Sequence, residues 1–383
     1  MKELMKKVSL LGLSFMLVTP FAVSSALPDM LVYYGNLGYS TAQVELLFSL
    51  SSLMILGVLL ASPLINRLFS ERQALITGLL MVSFGGVLPT LTQLYPLVFA
   101  SRLILGFGVG LMNAHAINII SHYYQGQERT KLLGLRGSSE VLGSATLTFL
   151  AGQLLTLGWE KSYLVYLIGL IMLGLYLIFV PKDKQEVRTE VANHKVTLTR
   201  KQILYLVSLA FYAGFVILLN TANTLRIPVF VESLKIGTAS QASFILTAMM
   251  LMGIVAGTVF GQALSLLKKW FMPAVAILLG LGMLVIWQSH SLFMIGLGAV
   301  VTGIVYNLGV TLVFHKVSER FPSHQLGKAT TLVLLGCNLG GGGAAFALQA
   351  IGLFSSDSST AFLVLGSLSL VLGLALLPKA IKS

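Results

Sequence analysis

Apolar runs separated by short polar breaks divide the chain into segments of the length that crosses a bilayer, whose hydrocarbon core of about 30 Å takes about 20 residues of helix. The first six run from Val8 to Tyr33, Thr41 to Ile65, Gln73 to Gln93, Tyr95 to His122, Leu132 to Leu157 and Tyr163 to Val180. Residues 181–202 then read PKDKQEVRTEVANHKVTLTRKQ, charged and without an apolar run, which predicts a solvated linker. Six more runs follow, from Ile203 to Val231, Ala239 to Leu267, Trp270 to Gln288, Leu292 to Val317, Ala329 to Phe354 and Ala361 to Leu377. The expected fold is an all-α integral membrane protein of twelve helices, with six-helix halves at 1–180 and 203–383 around a cytoplasmic linker at 181–202.

Composition agrees with lipid as the main solvent. Of the 383 residues 56% are hydrophobic and 10% charged, against about 25% charged in soluble domains. The net charge of +12 changes the picture only through its placement. Lys2, Lys6, Lys7, Arg67, Arg72, Arg129, Lys131, the linker, Lys268, Lys269 and Lys316 fall in breaks on one side, whereas the breaks on the other hold only Lys161 and Lys235. Cytoplasmic loops accumulate Lys and Arg in this way, which places both termini in the cytoplasm and explains the basic charge without a nucleic-acid partner; the expected location is the plasma (inner) membrane. The opening MKELMKK and the apolar run ending in AVSSA have a secretory signal as a rival reading. That run is longer than the about 7 to 15 residues of a signal core, so it is read as the first helix. The single cysteine, Cys337, excludes a disulfide framework and a cysteine metal cluster and reads as a packing residue. No cofactor or metal is expected.

A shift of about 198 residues lays GYSTAQ and its apolar run over IGTASQ and its run, and the Lys131 to Gly143 region over Lys328 to Gly340. The halves are duplicated six-helix units. Local motifs point to a family. After the second run stand Ser62, Asn66, Arg67, Phe69 and Arg72, where the pattern Gly-x-x-x-Asp-Arg-x-Gly-Arg-Arg is matched at Arg67 and Arg72 only. Gly261 to Lys269 repeats it weakly after the eighth run, and Arg102-Leu-Ile-Leu-Gly106 on the fourth is similar to an Arg-x-x-Gln-Gly segment. On these motifs and the repeat the chain resembles the major facilitator superfamily, with a leaning to bacterial efflux members. The resemblance implies a binding site between the halves near mid-membrane, alternating access, and a loop at Asn66, Arg67 and Arg72 that latches cytoplasmic helix ends. The antiporter pattern of glycines around a Gly-Pro step is echoed loosely by Gly134, Gly137 and Gly143, without the proline. Gly253, Gly257 and Gly261 form a small-residue stripe expected to seat another helix.

Charged groups inside membrane spans cost about 2.5 to 3.5 kcal/mol at a helix centre on insertion scales and face cavities or partners. Four stand out: Asp29, Arg102, Glu140 and Arg226. Arg102 and Asn113 share a face of the fourth helix with Gly106 and Gly110, a wall suited to an anionic or polar group or, alternatively, a structural arginine pairing with a neighbour. His115 and Asn118 point away and read as packing residues. Glu140 is either a proton carrier or the neutralised partner of Arg136 one turn earlier. Asp29 and Arg226 precede or follow prolines near the outer ends of the first and seventh helices; the resemblance sets these helices face to face, so the two form an outer gate pair or are each solvated. Asn220, Asn223, Thr302, Tyr306 and Asn307 line the pocket or bond between helices.

The expected function is secondary transport of a small organic molecule, driven by a proton or other ion gradient, by a protein acting as a monomer in the lipid bilayer. Export of a drug or metabolite by antiport is the first expectation and uptake of a sugar, organic acid or amino acid the second. A membrane-embedded sensor would need an output domain that the loops do not hold. An enzyme would need converging reactive groups, and an ATP-driven pump a glycine-rich phosphate loop; the sequence has neither.

Overall fold

The computed structural model describes residues 2–181, 198–355 and 357–382; at 63, 66, 114, 117, 118, 130, 323, 324 and 379–382 the backbone alone is described. The described residues are helical, with no strand among them. In chain order the helices are α1 Lys2–Phe15, α2 Leu27–Asn36, α3 Thr41–Leu60, α4 Ser62–Leu68, α5 Glu71–Leu91, α6 Tyr95–Tyr123, α7 Gly126–Leu154, α8 Ile168–Phe179, α9 Arg200–Ser233, α10 Ala239–Leu267, α11 Phe271–Trp287, α12 Leu292–Arg320, α13 Ser323–Gly352 and α14 Thr360–Lys382. A nine-residue 3-10 helix, Trp159–Leu167, leads into α8.

Among the described residues ten helices are long and apolar enough to span a membrane, and eleven when the bent pair Lys2–Phe15 and Thr19–Asn36 is taken as one span. One of the ten, Ala239–Trp287, has 49 residues, more than twice one crossing. It divides at Lys268–Trp270, where Lys268 takes a φ of 45°, into α10 and α11. That makes twelve spans.

The first span corrects an expectation. A continuous helix from Val8 to Tyr33 does not form: α1 stops at Phe15, two single 3-10 turns follow at Thr19–Phe21 and Ser24–Ala26, and α2 leaves at 56° to α1. Pro20, inside the first turn, has no N–H for the carbonyl four residues earlier and its ring crowds that carbonyl. Pro28 sits in the first turn of α2, where its missing N–H costs nothing.

The chain forms two compact units, one of Met1–Tyr39 and Leu46–His194, the other of Ser40–Glu45 and Lys195–Ser383. The opening of α3 therefore groups with the second unit. The linker expected at 181–202 falls mainly in 182–197, outside the described residues. In the first unit α5 packs along α6 and α8, and α1 along α7 and α8; in the second α9 packs along α13, and α11 along α14 and α12.

The sequence repeat has a physical basis in each unit. GYSTAQ and IGTASQ are both helix N-cap boxes. Ser40 N–H donates to Gln43 Oε1 at 2.8 Å and Gln43 N–H to Ser40 Oγ at 3.3 Å ahead of α3; Thr238 and Gln241 repeat the exchange at 2.9 and 3.2 Å ahead of α10. Each box satisfies two otherwise orphaned donors. The second repeated element ends on a glycine that admits a backbone. A Cβ at Gly143 of α7 would overlap the Phe15 carbonyl oxygen of α1, and one at Gly340 of α13 would overlap the Gly214 carbonyl oxygen of α9. Close approach of this kind drives helix association in lipid, where apolar burial gives no net gain. The stripe on α10 behaves otherwise than expected: among the described residues a Cβ at Gly257 or Gly261 meets nothing within 4 Å, so no described helix backbone seats against these two.

Gly143→Ala and Gly340→Ala should each destabilise their unit by about 1 to 3 kcal/mol through overpacking. Gly134→Ala, where no atom lies within 4 Å, should leave the thermal unfolding midpoint of the purified protein unchanged or slightly raised. Equal effects at all three positions would contradict the seams.

Candidate functional site

The largest fully buried side chain is that of Arg102, on α6, 1% exposed. Its partners explain how a guanidinium stands there. Nη2 donates to the Pro20 carbonyl at 2.6 Å, Nε to the Leu47 carbonyl of α3 at 3.2 Å, and Nη1 to Tyr166 Oη at 3.3 Å. Tyr166 in turn donates to the Thr19 carbonyl at 3.0 Å. The rings of Phe48, Tyr163 and Tyr166 lie 5.9, 5.6 and 5.8 Å from the guanidinium carbon, within cation–π reach. Of the carbonyls in the broken first span, Arg102 takes up that of Pro20 and Tyr166 that of Thr19. Gly106 and Gly110, expected beside a cavity wall, instead seat α6 against α3, with a Cβ at either position falling 2.5 Å from the Ser51 carbonyl oxygen or 2.6 Å from Val58 Cβ.

Around the break lie hydroxyls of Ser14, Thr19, Ser24 and Ser25, each wholly buried and without a hydrogen-bond partner among the described residues. The carbonyls of the break are thus used while its side chains are not.

In the second unit Arg226, on α9, forms an ion pair through Nη2 with Glu45 Oε1 at 2.8 Å. This corrects the expected pairing of Arg226 with Asp29: the acidic partner is Glu45, from the first turns of α3. Its side chain is 1% exposed and that of Arg226 12%. Asn223 precedes Arg226 by three residues, which puts both on one face of α9. It is wholly buried, and neither its amide nitrogen nor its oxygen has a partner; Arg226 Nε has none either. Sequence reading missed Glu45, although a lone acid in the apolar run TAQVELLF was the signal that would have found it.

The other expected residues are not gathered at one place. Arg136 and Glu140 of α7 pair with each other at 2.5 Å, half-buried. Asp29 lies half-buried in the first turn of α2, where a negative charge suits the helix dipole. Asn113 is half-buried on α6. Thr302 is wholly buried, with its hydroxyl donating to the Ala299 carbonyl at 2.9 Å and its methyl against Gly282 of α11. Tyr306 stands half-buried one turn further along α12, and Asn307 donates back to the Gly303 carbonyl at 2.8 Å. Of the latch loop, the side chain of Asn66 lies outside the described residues. Arg72 donates to the carbonyls of Val180 and Pro181 at 3.1 and 3.0 Å and lies 5.4 Å over the Tyr176 ring, which ties the start of α5 to the end of α8. His115 is 2% exposed with both ring nitrogens unpartnered. Among the described residues no group of three His, Cys, Asp or Glu side chains is placed to hold a metal.

The family description that matches this chain, Major Facilitator Superfamily, covers residues 10–239, more than half its length. The chain belongs to the Major Facilitator Superfamily. Solved structures agree on the fold of this superfamily member. A D-xylose-proton symporter superposes over 98% of this chain and 97% of its own at a TM-score of 0.76 and 15% identity. The xylose transporter XylE from E. coli, in an inward open conformation, covers 98% and 96% at 0.75 and 15%. A peptide transporter, POT, in complex with sulfate covers 98% and 94% at 0.75 and 15%. Among curated proteins, a probable anion transporter 6, chloroplastic, of Arabidopsis thaliana is 29% identical over 125 residues, which are 32% of this chain and 24% of that protein. The chain is therefore a multi-pass membrane protein of this superfamily, and the 125 residues it shares with the curated relative are about a quarter of that protein's length.

Tyr166→Phe removes both the acceptor of Arg102 and the donor to Thr19. It should lower the unfolding free energy by about 1 to 3 kcal/mol, the cost of leaving buried polar groups unsatisfied. Chemical unfolding of the purified protein measures it, and an unchanged midpoint would show that the break does not depend on this bridge.

Proposed function

We propose that this superfamily member is a proton-coupled secondary transporter of a small organic molecule bearing an anionic or strongly polar group. It works by alternating access as a monomer in the plasma (inner) membrane, with both termini in the cytoplasm. The observation that carries the reading is the face of α9: a half-buried cation, Arg226, beside a wholly buried amide, Asn223, with donors and an acceptor unspent. Unsatisfied polar groups at membrane depth are costly and mark substrate paths. The name of the Arabidopsis relative, a probable anion transporter, favours the same ligand charge. Arg102 serves this reading as a positioning residue for the first unit rather than as a ligand donor, because three backbone or hydroxyl oxygens hold it. Asn113, Thr302 and Tyr306 are further polar groups along the path, Asp29 a gate residue, and Arg67 and Arg72 the latch.

Of the two directions, uptake is favoured over export. The antiporter pattern lacks its proline, and Gly134 and Gly137 meet no neighbouring atom within 4 Å. A proton symporter stands among the structures that share the fold. Glu140 does not carry the proton in this reading, since Arg136 on its own helix already neutralises it.

Liposomes holding the purified protein under an imposed pH gradient, offered organic acids, amino acids, sugars and lipophilic cations in turn, test this directly. Organic acids or amino acids should dissipate the gradient. Asn223→Ala should reduce that flux about tenfold, the worth of one buried hydrogen bond to a charged group, while Glu140→Gln should keep it. Gradient dissipation by sugars or lipophilic cations alone would contradict the ligand charge, and loss of coupling in Glu140→Gln would return the proton to that residue.

A further inference from the structure

We infer that Glu45 is an internal stand-in for the carboxylate of the transported molecule, and that a proton taken up by Glu45 hands Arg226 and Asn223 over to that carboxylate. The inference rests on the reading that Arg226 and Asn223 face the ligand; it adds the chemical class of the ligand group and the residue that takes the proton.

The pair is built incompletely for a permanent structural bridge. A guanidinium and a carboxylate that serve each other frequently settle into two parallel N–H···O bonds, yet here one contact of 2.8 Å joins Nη2 to Oε1, and Arg226 Nε and Glu45 Oε2 are left without a hydrogen-bond partner. Arg136 and Glu140 also share a single contact, but there the acid keeps 30% of its side chain exposed, against 1% for Glu45. Beside them both polar atoms of the wholly buried Asn223 are unspent. Arg102 shows what full use looks like in the same chain, with every guanidinium nitrogen bonded. The donors at Arg226 Nε and Asn223 Nδ2 are those a second carboxylate, with two oxygens and about four lone-pair sites, would accept from. Arg226 keeps 12% of its side chain exposed whereas Glu45 keeps 1%, so the cation is the approachable member of the pair and the acid the enclosed one.

Arg226 is the one charged group acting on Glu45 among the described residues. Packed against α9, helix α10 has no ionisable residue; α12 carries His315, Lys316, Glu319 and Arg320 at its far end and the phenol of Tyr306 in its middle, and α13 carries the thiol of Cys337, both uncharged groups. Lys328 of α13 lies near the start of α9, where Gln202 donates to Gln325 at 3.0 Å, many turns from Arg226. At the other end of α9, where Ser233 bonds Ser358 at 2.9 Å, Glu232, Lys235 and Asp357 are exposed, and Lys379 and Lys382 close the opposite end of α14.

The exchange balances in charge. One proton adds to a carboxylate oxygen of Glu45, the ion pair is released, and one carboxylate of the ligand takes its place on Arg226. The site holds one cation and one anion before and after, so one proton and one carboxylate move together and the loaded carrier bears no extra charge.

Affinity of the purified full-length protein for acetate, lactate and benzoate, each compared with its neutral amide by ligand-dependent thermal unfolding, tests the exchange. Wild type should bind a carboxylate about tenfold or more tightly at mildly acidic than at alkaline pH, because an internal competitor lowers apparent affinity by the fraction of Arg226 left free. Glu45→Gln should bind at both pH values with the tighter constant, Glu45→Gln with Arg226→Gln at neither, and the amides should bind to none. Wild-type affinity independent of pH, or a folded Glu45→Gln whose affinity still follows pH, overturns the exchange. In either case solute-driven proton flux by wild type leaves the transport reading standing. Carboxylate binding by Glu45→Gln in a protein that carries no solute would support the exchange and overturn that reading.

Discussion

A guanidinium in the interior of a membrane protein must be compensated on the spot, and Arg102 meets that demand by holding the broken first span. Each helical carbonyl already accepts a backbone N–H, so a fixed cation inside a span draws chiefly on either a carboxylate or a stretch of chain that has left the helix, with the second lone pair of a helical carbonyl, as at Leu47 of α3, in support. Pro20 and the turns on either side supply the second. The dependence runs both ways: the break would expose carbonyls without Arg102, and Arg102 would be an unpaired charge without the break. Tyr166, Tyr163 and Phe48 close the remaining faces, which draws α3, α6 and the 3-10 segment ahead of α8 onto the first span.

Arg226 solves the same problem differently. Its compensation is a carboxylate from another helix, made by one contact and leaving neighbouring polar atoms unused. An acid can be neutralised by a proton, whereas backbone carbonyls cannot. The two arginines are thus held differently, one by backbone carbonyls and a phenol and the other by a single contact to a carboxylate, and the proposed function rests on the second.

The twelve spans, the duplicated halves and the family were legible because lipid imposes a coarse rule that apolar run length obeys. The repeat was legible for a finer reason, since a cap box and a close-packed glycine each demand particular residue types at fixed spacing. The break at Thr19–Ala26 was hidden inside one apolar run, because run length does not register what Pro20 does to the backbone. The site was less legible than the fold. Arg226 and Asn223 stood out as polar residues in a span, but their partner did not: Glu45 comes from a helix far away in sequence, and spacing along one chain segment says nothing of which face another helix presents. Glu140 and Arg136 could be paired in advance because i, i+4 neighbours meet on any helix.

The division of labour between the two arginines is tested most directly by measuring thermal stability and organic-acid flux side by side in Arg102→Lys and Arg226→Lys. A lysine keeps the charge and loses the planar fork. The account predicts that Arg102→Lys loses stability, with flux per folded molecule largely kept, and that Arg226→Lys keeps stability and loses flux. The reverse pattern, with Arg102→Lys stable and inactive and Arg226→Lys active, would place the ligand on the first unit and contradict it.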